Sequence, residues 1–144
     1  MNKVSSILSR KGSMAISVAP STTVIDALKV MAEKNIGSVV VMQDEKYMGI
    51  MTERDYSRKV ALKGKNSSVT TVSEIMSTDI PSVSTGDSIE HCMQLMSDKN
   101  IRYMPVFDNN KLVGIISMSD VVKETILSQK ETISHLESYI HSNL

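Results

Sequence analysis

The chain is poor in the residues that mark several functional classes. Among its 144 residues there is one cysteine, one phenylalanine and no tryptophan. The lone Cys92 excludes an internal disulfide, and no cysteine–histidine spacing resembles a zinc site, so no metal is expected. A free, buried thiol fits a reducing compartment, and a cytoplasmic location is expected. Lysine plus arginine balance aspartate plus glutamate at 16 each. The electrostatic footprint of a general nucleic-acid or anionic-membrane binder is therefore missing. Aromatic platforms for stacking single-stranded nucleic acid are scarce as well. The longest apolar stretch, Val39–Met42, falls far short of the roughly 18 residues of a membrane span. The opening Met1-Asn2-Lys3-Val4-Ser5-Ser6 lacks the apolar block of a secretory signal. Neither nucleic acid nor membrane is expected as a partner.

What is abundant is methionine, eleven residues, a flexible side chain that fills gaps in a core. A chain of this length buries roughly two-thirds of its unfolded surface, enough for one domain or two intimate halves. The stronger signal is internal repetition. Shifting the sequence by 65 positions aligns 16–60 with 81–125 without a gap, and 11 of the 45 pairs are identical. Chance gives roughly three. Lys34-Asn35-Ile36 returns as Lys99-Asn100-Ile101, Gly49-Ile50 as Gly114-Ile115, and Asp55 as Asp120. The leading segments match too: Val4-Ser5-Ser6-Ile7-Leu8-Ser9 echoes Val72-Ser73-Glu74-Ile75-Met76-Ser77, with three extra residues after the first copy.

Each copy has the same grammar. Val24, Ala27, Leu28 and Met31, like Ile89, Cys92, Met93 and Met96, form one apolar helical face. Thr22 or Thr23, and Asp87 or Ser88, are the helix caps. Two β-branched runs joined by a polar turn follow each helix, 38–42 with 47–51 and 103–107 with 112–116. A short extended piece precedes each helix, 16–18 and 82–84, and a second helix starts near Glu53 or Met118. One such module cannot cover both faces of a small sheet. The expected fold is α/β of the α+β type. Two β-α-β-β-α repeats, 4–64 and 72–127, are joined by a linker at 65–71 and packed sheet to sheet with pseudo-twofold symmetry. A helical tail, 128–144, extends beyond them.

The strand-to-helix junctions are the most informative segments. They read Gly49-Ile50-Met51-Thr52-Glu53-Arg54-Asp55 and Gly114-Ile115-Ile116-Ser117-Met118-Ser119-Asp120. A hydroxyl residue followed three positions on by an acid is a capping box, worth about 0.5–2 kcal/mol to its helix. The same atoms suit a ligand: a helix N-terminus and hydroxyl receive phosphate, and a carboxylate accepts both hydroxyls of a ribose. Spacing alone does not choose between these readings. The three histidines add no metal site, and neither Asp55 nor Asp120 has a His, Lys or Cys nearby in sequence to make it a hydrolytic base. No catalytic residue is assigned.

The duplicated module closing on G-h-h-T/S-x-x-D resembles the paired cystathionine-β-synthase (CBS) domain, or Bateman module. The resemblance covers Val4 to Ile126. Thr52-Glu53-Arg54-Asp55-Tyr56, Asn100-Ile101-Arg102-Tyr103-Met104-Pro105-Val106 and the tail string 132–141 are similar to small stand-alone members of that family. The resemblance implies a non-enzymatic regulatory protein that binds AMP, ADP, ATP, NAD or S-adenosylmethionine in clefts between the repeats. Asp55 and Asp120 would then hold ribose, and Thr52 and Ser117 phosphate. Ser17, Val18, Ser82 and Val83 would contact the base, with Ile36, Gly37, Ser38, Tyr103, Met104 and Pro105 as pocket walls. Arg54, Arg58 and Arg102 are candidates for phosphate, since guanidinium matches its oxygens; their bland alternative is a solvated face. That modest positive charge favours an AMP- or NAD-like ligand. Val40 against Pro105, and Ala19-Pro20 against Ser84-Thr85, make the two clefts inequivalent. A homodimer and a separate target protein are the implied partners. The rival is a ligand-free scaffold. In the tail, Val122, Ile126, Ile133, Leu136 and Ile140 form a seam broken by Gln129. It serves either packing on its own domain or an oligomer contact.

Overall fold

The computed structural model describes residues 2–12 and 15–142; Met1 and the last two residues of the expected tail lie outside the described residues. The chain forms two compact units, Met14–Ile80 and Met1–Ser13 with Pro81–Leu144.

In the Met14–Ile80 unit, Thr23 caps α2 (Val24–Lys34) through its side chain, and Asn35 ends the helix in the left-handed region. Ile36 N–H then donates back to the Met31 carbonyl. This is a Schellman closure, and it explains why Lys-Asn-Ile recurs. β2 (Ser38–Gln43) and β3 (Lys46–Thr52) form a hairpin, with β1 (Ser17–Val18) parallel to β2. The turn residues Asp44 and Glu45 both have positive φ, as a two-residue turn matched to strand twist requires. Val24, Ala27, Met31, Val39, Val41 and Met51 form the core with Val60, Val72 and Ile75. β3 leads into α3 (Glu53–Tyr56) and a π-helical stretch, Ser57–Ala61. The 65–71 stretch, expected as a linker, is held against α2: Val24 N–H donates to Thr70 and Ile25 N–H to Ser67. α4 (Val72–Ile75) follows, and Ser77 beyond it exchanges backbone hydrogen bonds with Ile50 at 2.8 and 3.0 Å. A Cβ on Gly49 would stand 2.7 Å from the Ser77 carbonyl oxygen; only glycine admits that approach.

The other unit repeats the plan. α5 (Ile89–Lys99) is capped by Ser88 and ended by Asn100, again left-handed. β4 (Tyr103–Asp108) and β5 (Lys111–Ser117) pair around Asn109-Asn110, with a bulge at the position equivalent to that in β2–β3. Ile89, Cys92, Met96, Met104, Val106, Ile116 and Val121 are buried. Burial pushes the Cys92 thiol up to about 11. β5 continues directly into α6 (Met118–Ser142).

One expectation needs correction. The repeat pattern predicts three strands in the second copy, but its sheet has two, and Val83 makes only an isolated parallel bridge to Val106. In the first copy Val40 N–H donates to the Ile16 carbonyl at 3.0 Å. The equivalent residue, Pro105, has no N–H to donate, so the ladder cannot extend. The leading segments also part from their own repeats. α1 (Val4–Lys11) lies with the second copy, where Val4 N–H donates to Asp87. The segment at 72–77 lies with the first, where Val72 N–H donates to Thr22. The compact units are thus offset from the repeats read in the sequence.

Candidate functional site

Each strand-to-helix junction is closed locally by its own chain. In the first, Thr52 Oγ1 accepts from Asp55 N–H at 3.1 Å, and Asp55 Oδ2 accepts from Thr52 N–H and Oγ1–H at 2.9 and 3.0 Å. Glu53 N–H donates to the Gly37 carbonyl, and Ser38 lies opposite Thr52 in the hairpin. In the second, Asp120 N–H donates to Ser117 Oγ at 3.1 Å and Ser117 N–H to Asp120 Oδ2 at 2.8 Å. Met118 N–H donates to the Arg102 carbonyl, and Tyr103 lies opposite Ser117. Both are reciprocal capping boxes.

They differ in what the carboxylates do next. Asp55 is 5% exposed. Its Oδ1 accepts from Ser77 Oγ at 2.8 Å and from Lys59 Nζ at 2.9 Å. Lys59 also donates to the Ile75 carbonyl. Both oxygens of Asp55 are therefore engaged. The Asp120 side chain is 17% exposed, and Lys11 Nζ lies 2.7 Å from its Oδ2 and 3.1 Å from the Ile115 carbonyl oxygen. Asp120 Oδ1 accepts no hydrogen bond among the described residues. The second junction thus keeps a carboxylate oxygen in reserve.

The remaining residues divide by burial. Ser17, Ser82, Arg58 and Arg102 are exposed, and Val18, Ile36, Gly37, Arg54 and Tyr103 half-buried. Ser38, Val83, Met104 and Pro105 are buried, where side chains serve packing. Pro105 accepts at its carbonyl from Val83 N–H. Arg102 and Tyr103 are thus tied to the second junction by backbone bonding and strand register. Arg58 sits in the π-helical stretch, three residues beyond Asp55.

Sequence reasoning missed Lys11, Lys59 and Ser77. Lys59 stands four residues after Asp55, a helical pair that spacing could have flagged, and it corrects the expectation that no lysine lies near that aspartate in sequence. Its equivalent in the second copy is Glu124, 2% exposed, whose carboxylate accepts from Asn2 and Arg10. With an acid at that station, the cation on Asp120 comes from α1 instead. No local signal marks Lys11, 109 residues away in sequence. Among the described residues no group of three or more His, Cys, Asp and Glu side chains could hold a metal ion. No described helix is long and apolar enough to cross a membrane.

Comparison with known proteins identifies the family. The family model of the CBS domain matches residues 4–62 and 72–126. A CBS domain-containing protein of Bacillus subtilis, YhcV, is 30% identical over 141 residues, covering 98% of this chain and 99% of its own. The solved structure of a putative signal-transduction protein with CBS domains from Burkholderia ambifaria is 41% identical. It has a TM-score of 0.85 and covers 89% of this chain and 96% of that one. The CBS domain pair of protein MJ0100, solved with 5′-methylthioadenosine and S-adenosyl-L-methionine, is 25% identical. Its TM-score is 0.75, with 85% of this chain and 98% of that one covered.

Proposed function

The chain belongs to the CBS-domain family, and from that membership we propose that it is a non-enzymatic sensor of an adenosine nucleotide. CBS pairs are regulatory ligand-binding modules. The observation that carries the reading is the unused Oδ1 of Asp120, at a helix start that also holds Ser117 and Lys11. A ribose hydroxyl donates to that oxygen without dismantling the capping box on Oδ2. Lys11 Nζ, 35% exposed at its side chain, turns to a phosphate oxygen, and Arg102 adds positive charge. AMP or an NAD-like ligand fits this set better than a neutral nucleoside. The adenosine-derived ligands of the MJ0100 pair support the ligand class. Asp55, sealed by Ser77 and Lys59, holds its own helix, so the junction at Asp120 is the stronger site. The free, buried Cys92 supports work in the cytoplasm. The protein acts as a homodimer and passes the ligand state to a separate target protein.

A second reading is the ligand-free scaffold, favoured by the fact that both hydroxyl–acid pairs already cap their helices. Thermal unfolding of ligand-stripped protein with AMP, ADP, ATP, NAD, S-adenosylmethionine and a GTP control separates the two. Ligand at a hundred times its Kd stabilises by about 2.7 kcal/mol, a shift of about 5–10 °C at this size. A selective shift abolished by Asp120→Ala supports the sensor. No shift at millimolar concentration, or unchanged affinity in Asp55→Ala/Asp120→Ala, leaves the scaffold.

A further inference from the structure

The C-terminal part of α6 carries an apolar face that its own unit does not use. The helix is continuous over 25 residues, yet every described residue from 131 onward is exposed. Ile133, Leu136 and Ile140 are 55%, 57% and 58% exposed. At about 100° per residue, Val122, Ile126, Gln129, Ile133, Leu136 and Ile140 fall within an arc of about 80°. The face of α6 that packs on its own unit is another one, set by buried Val121 and Glu124 and half-buried Ser128. That direction lies about 125° from the stripe. Continued along the tail it meets His135, Tyr139 and Ser142, all exposed, with Tyr139 at 68%. Packing on the parent domain, one of the two expectations for this seam, is therefore not what the stripe does. A terminal helical stretch of this length is marginal in water without a partner.

We propose that the stripe is the seam of an antiparallel pairing between the tails of two copies of this chain. Charge placement carries the choice of occupant and direction. Lys130 and Glu137 flank the stripe on one side. The other side carries Thr125, Thr132 and Tyr139, all uncharged. Antiparallel helices set like flanks against each other. With Ile133 of each copy layered on Leu136 of the other, Lys130 meets the second copy's Glu137, and Glu137 its Lys130. The twofold axis makes both pairs at once. A parallel pairing sets unlike flanks together and leaves Lys130 opposite threonine and Glu137 opposite threonine, with no charge matched. The seam goes beyond the ligand reading: a monomeric chain would overturn the homodimer proposed above as well as the seam, whereas ligand binding at Asp120 is read by a separate titration and stands or falls apart from both.

Sedimentation equilibrium of the full chain tests it. Leu136→Glu and Ile133→Glu, both at exposed positions, are expected to reduce the association state while the thermal transition of the folded units persists. Lys130→Glu and Glu137→Lys are each expected to weaken association by about tenfold, since each turns two attractive pairs into two repulsive ones. An equimolar mixture of these two variants is expected to recover native association, because each then finds its opposite charge. A native chain that is monomeric, or an association state indifferent to Leu136→Glu and Ile133→Glu, overturns the seam. Single reversals that weaken association without rescue on mixing overturn the antiparallel register. Association of the native chain only with another protein's helix overturns the choice of occupant.

Discussion

Asp55 and Asp120 are the same residue in two copies of one module, and they have been put to different use. Asp55 is buried with every lone-pair direction answered, by its own cap, by Ser77 and by Lys59. Asp120 spends one oxygen on its cap and on Lys11, and its other accepts no hydrogen bond among the described residues. The difference traces to one station, four residues on. Lysine there neutralises Asp55 from within its own helical segment. Glutamate there adds a second negative charge beside Asp120, so the consecutive Arg10 and Lys11 of α1 must serve both acids. Duplication thus yields one carboxylate devoted to structure and one still available.

The sharpest way to break this comparison is to remove each carboxylate. Asp55→Ala is expected to lower stability by about 1–3 kcal/mol, since it removes a helix cap, leaves the half-buried Ser77 hydroxyl without its acceptor and breaks an ion pair discounted because Lys59 is 43% exposed. Asp120→Ala should cost about 1 kcal/mol, the scale of a single helix cap. It should nonetheless weaken adenosine-ligand binding by about 10–150-fold, the equivalent of a charged hydrogen-bond partner. Urea unfolding and ligand titration of both variants read the two effects separately; equal stability losses would erase the distinction.

Arg10→Ala should destabilise by about 2–3 kcal/mol. It leaves Glu124 buried with only Asn2 as partner, discounted because Arg10 is itself 45% exposed. The same denaturation assay checks it, and Lys59→Ala, which leaves Asp55 its cap and Ser77, should cost less. The two hairpins offer a smaller contrast. Glu45 and Asn110 hold equivalent left-handed conformations at φ 65 and 62, which strain glutamate more than asparagine. Glu45→Gly should therefore stabilise by about 0.5–1 kcal/mol, measured as a rise in Tm, whereas Asn110→Gly should be close to neutral. Smallest is Lys11→Met. AMP should bind a few-fold more weakly for loss of a phosphate contact. The phosphate-free 5′-methylthioadenosine should bind as well or better, since Asp120 no longer shares an oxygen with lysine. Calorimetric titration of both ligands decides; equal losses would make Lys11 purely structural.

Much of the fold was legible because its signals are local. Thr23 and Ser88 announce helix starts, the apolar spacings of α2 and α5 announce which faces are buried, and the turn residues announce both hairpins. The hydroxyl–acid pairs were legible as caps for the same reason. The missing third strand was also written locally, in a proline where the ladder needs an N–H. What escaped was the pairing of elements distant in the chain. The leading segments were recognised as copies of one another, but not as partners exchanged between the repeats.

The duplicated module, its helix caps, its turns and its family were determined by the sequence itself, because each rests on residues within a few positions of one another. Which cation sits on which aspartate was decided only in three dimensions. Lys59 reaches Asp55 across one helical turn. Lys11 reaches Asp120 only because α1 packs in the unit of the second copy, bringing together residues 109 positions apart. No periodicity or motif encodes that contact, and among the described residues one oxygen of Asp120 accepts no hydrogen bond while both oxygens of Asp55 do.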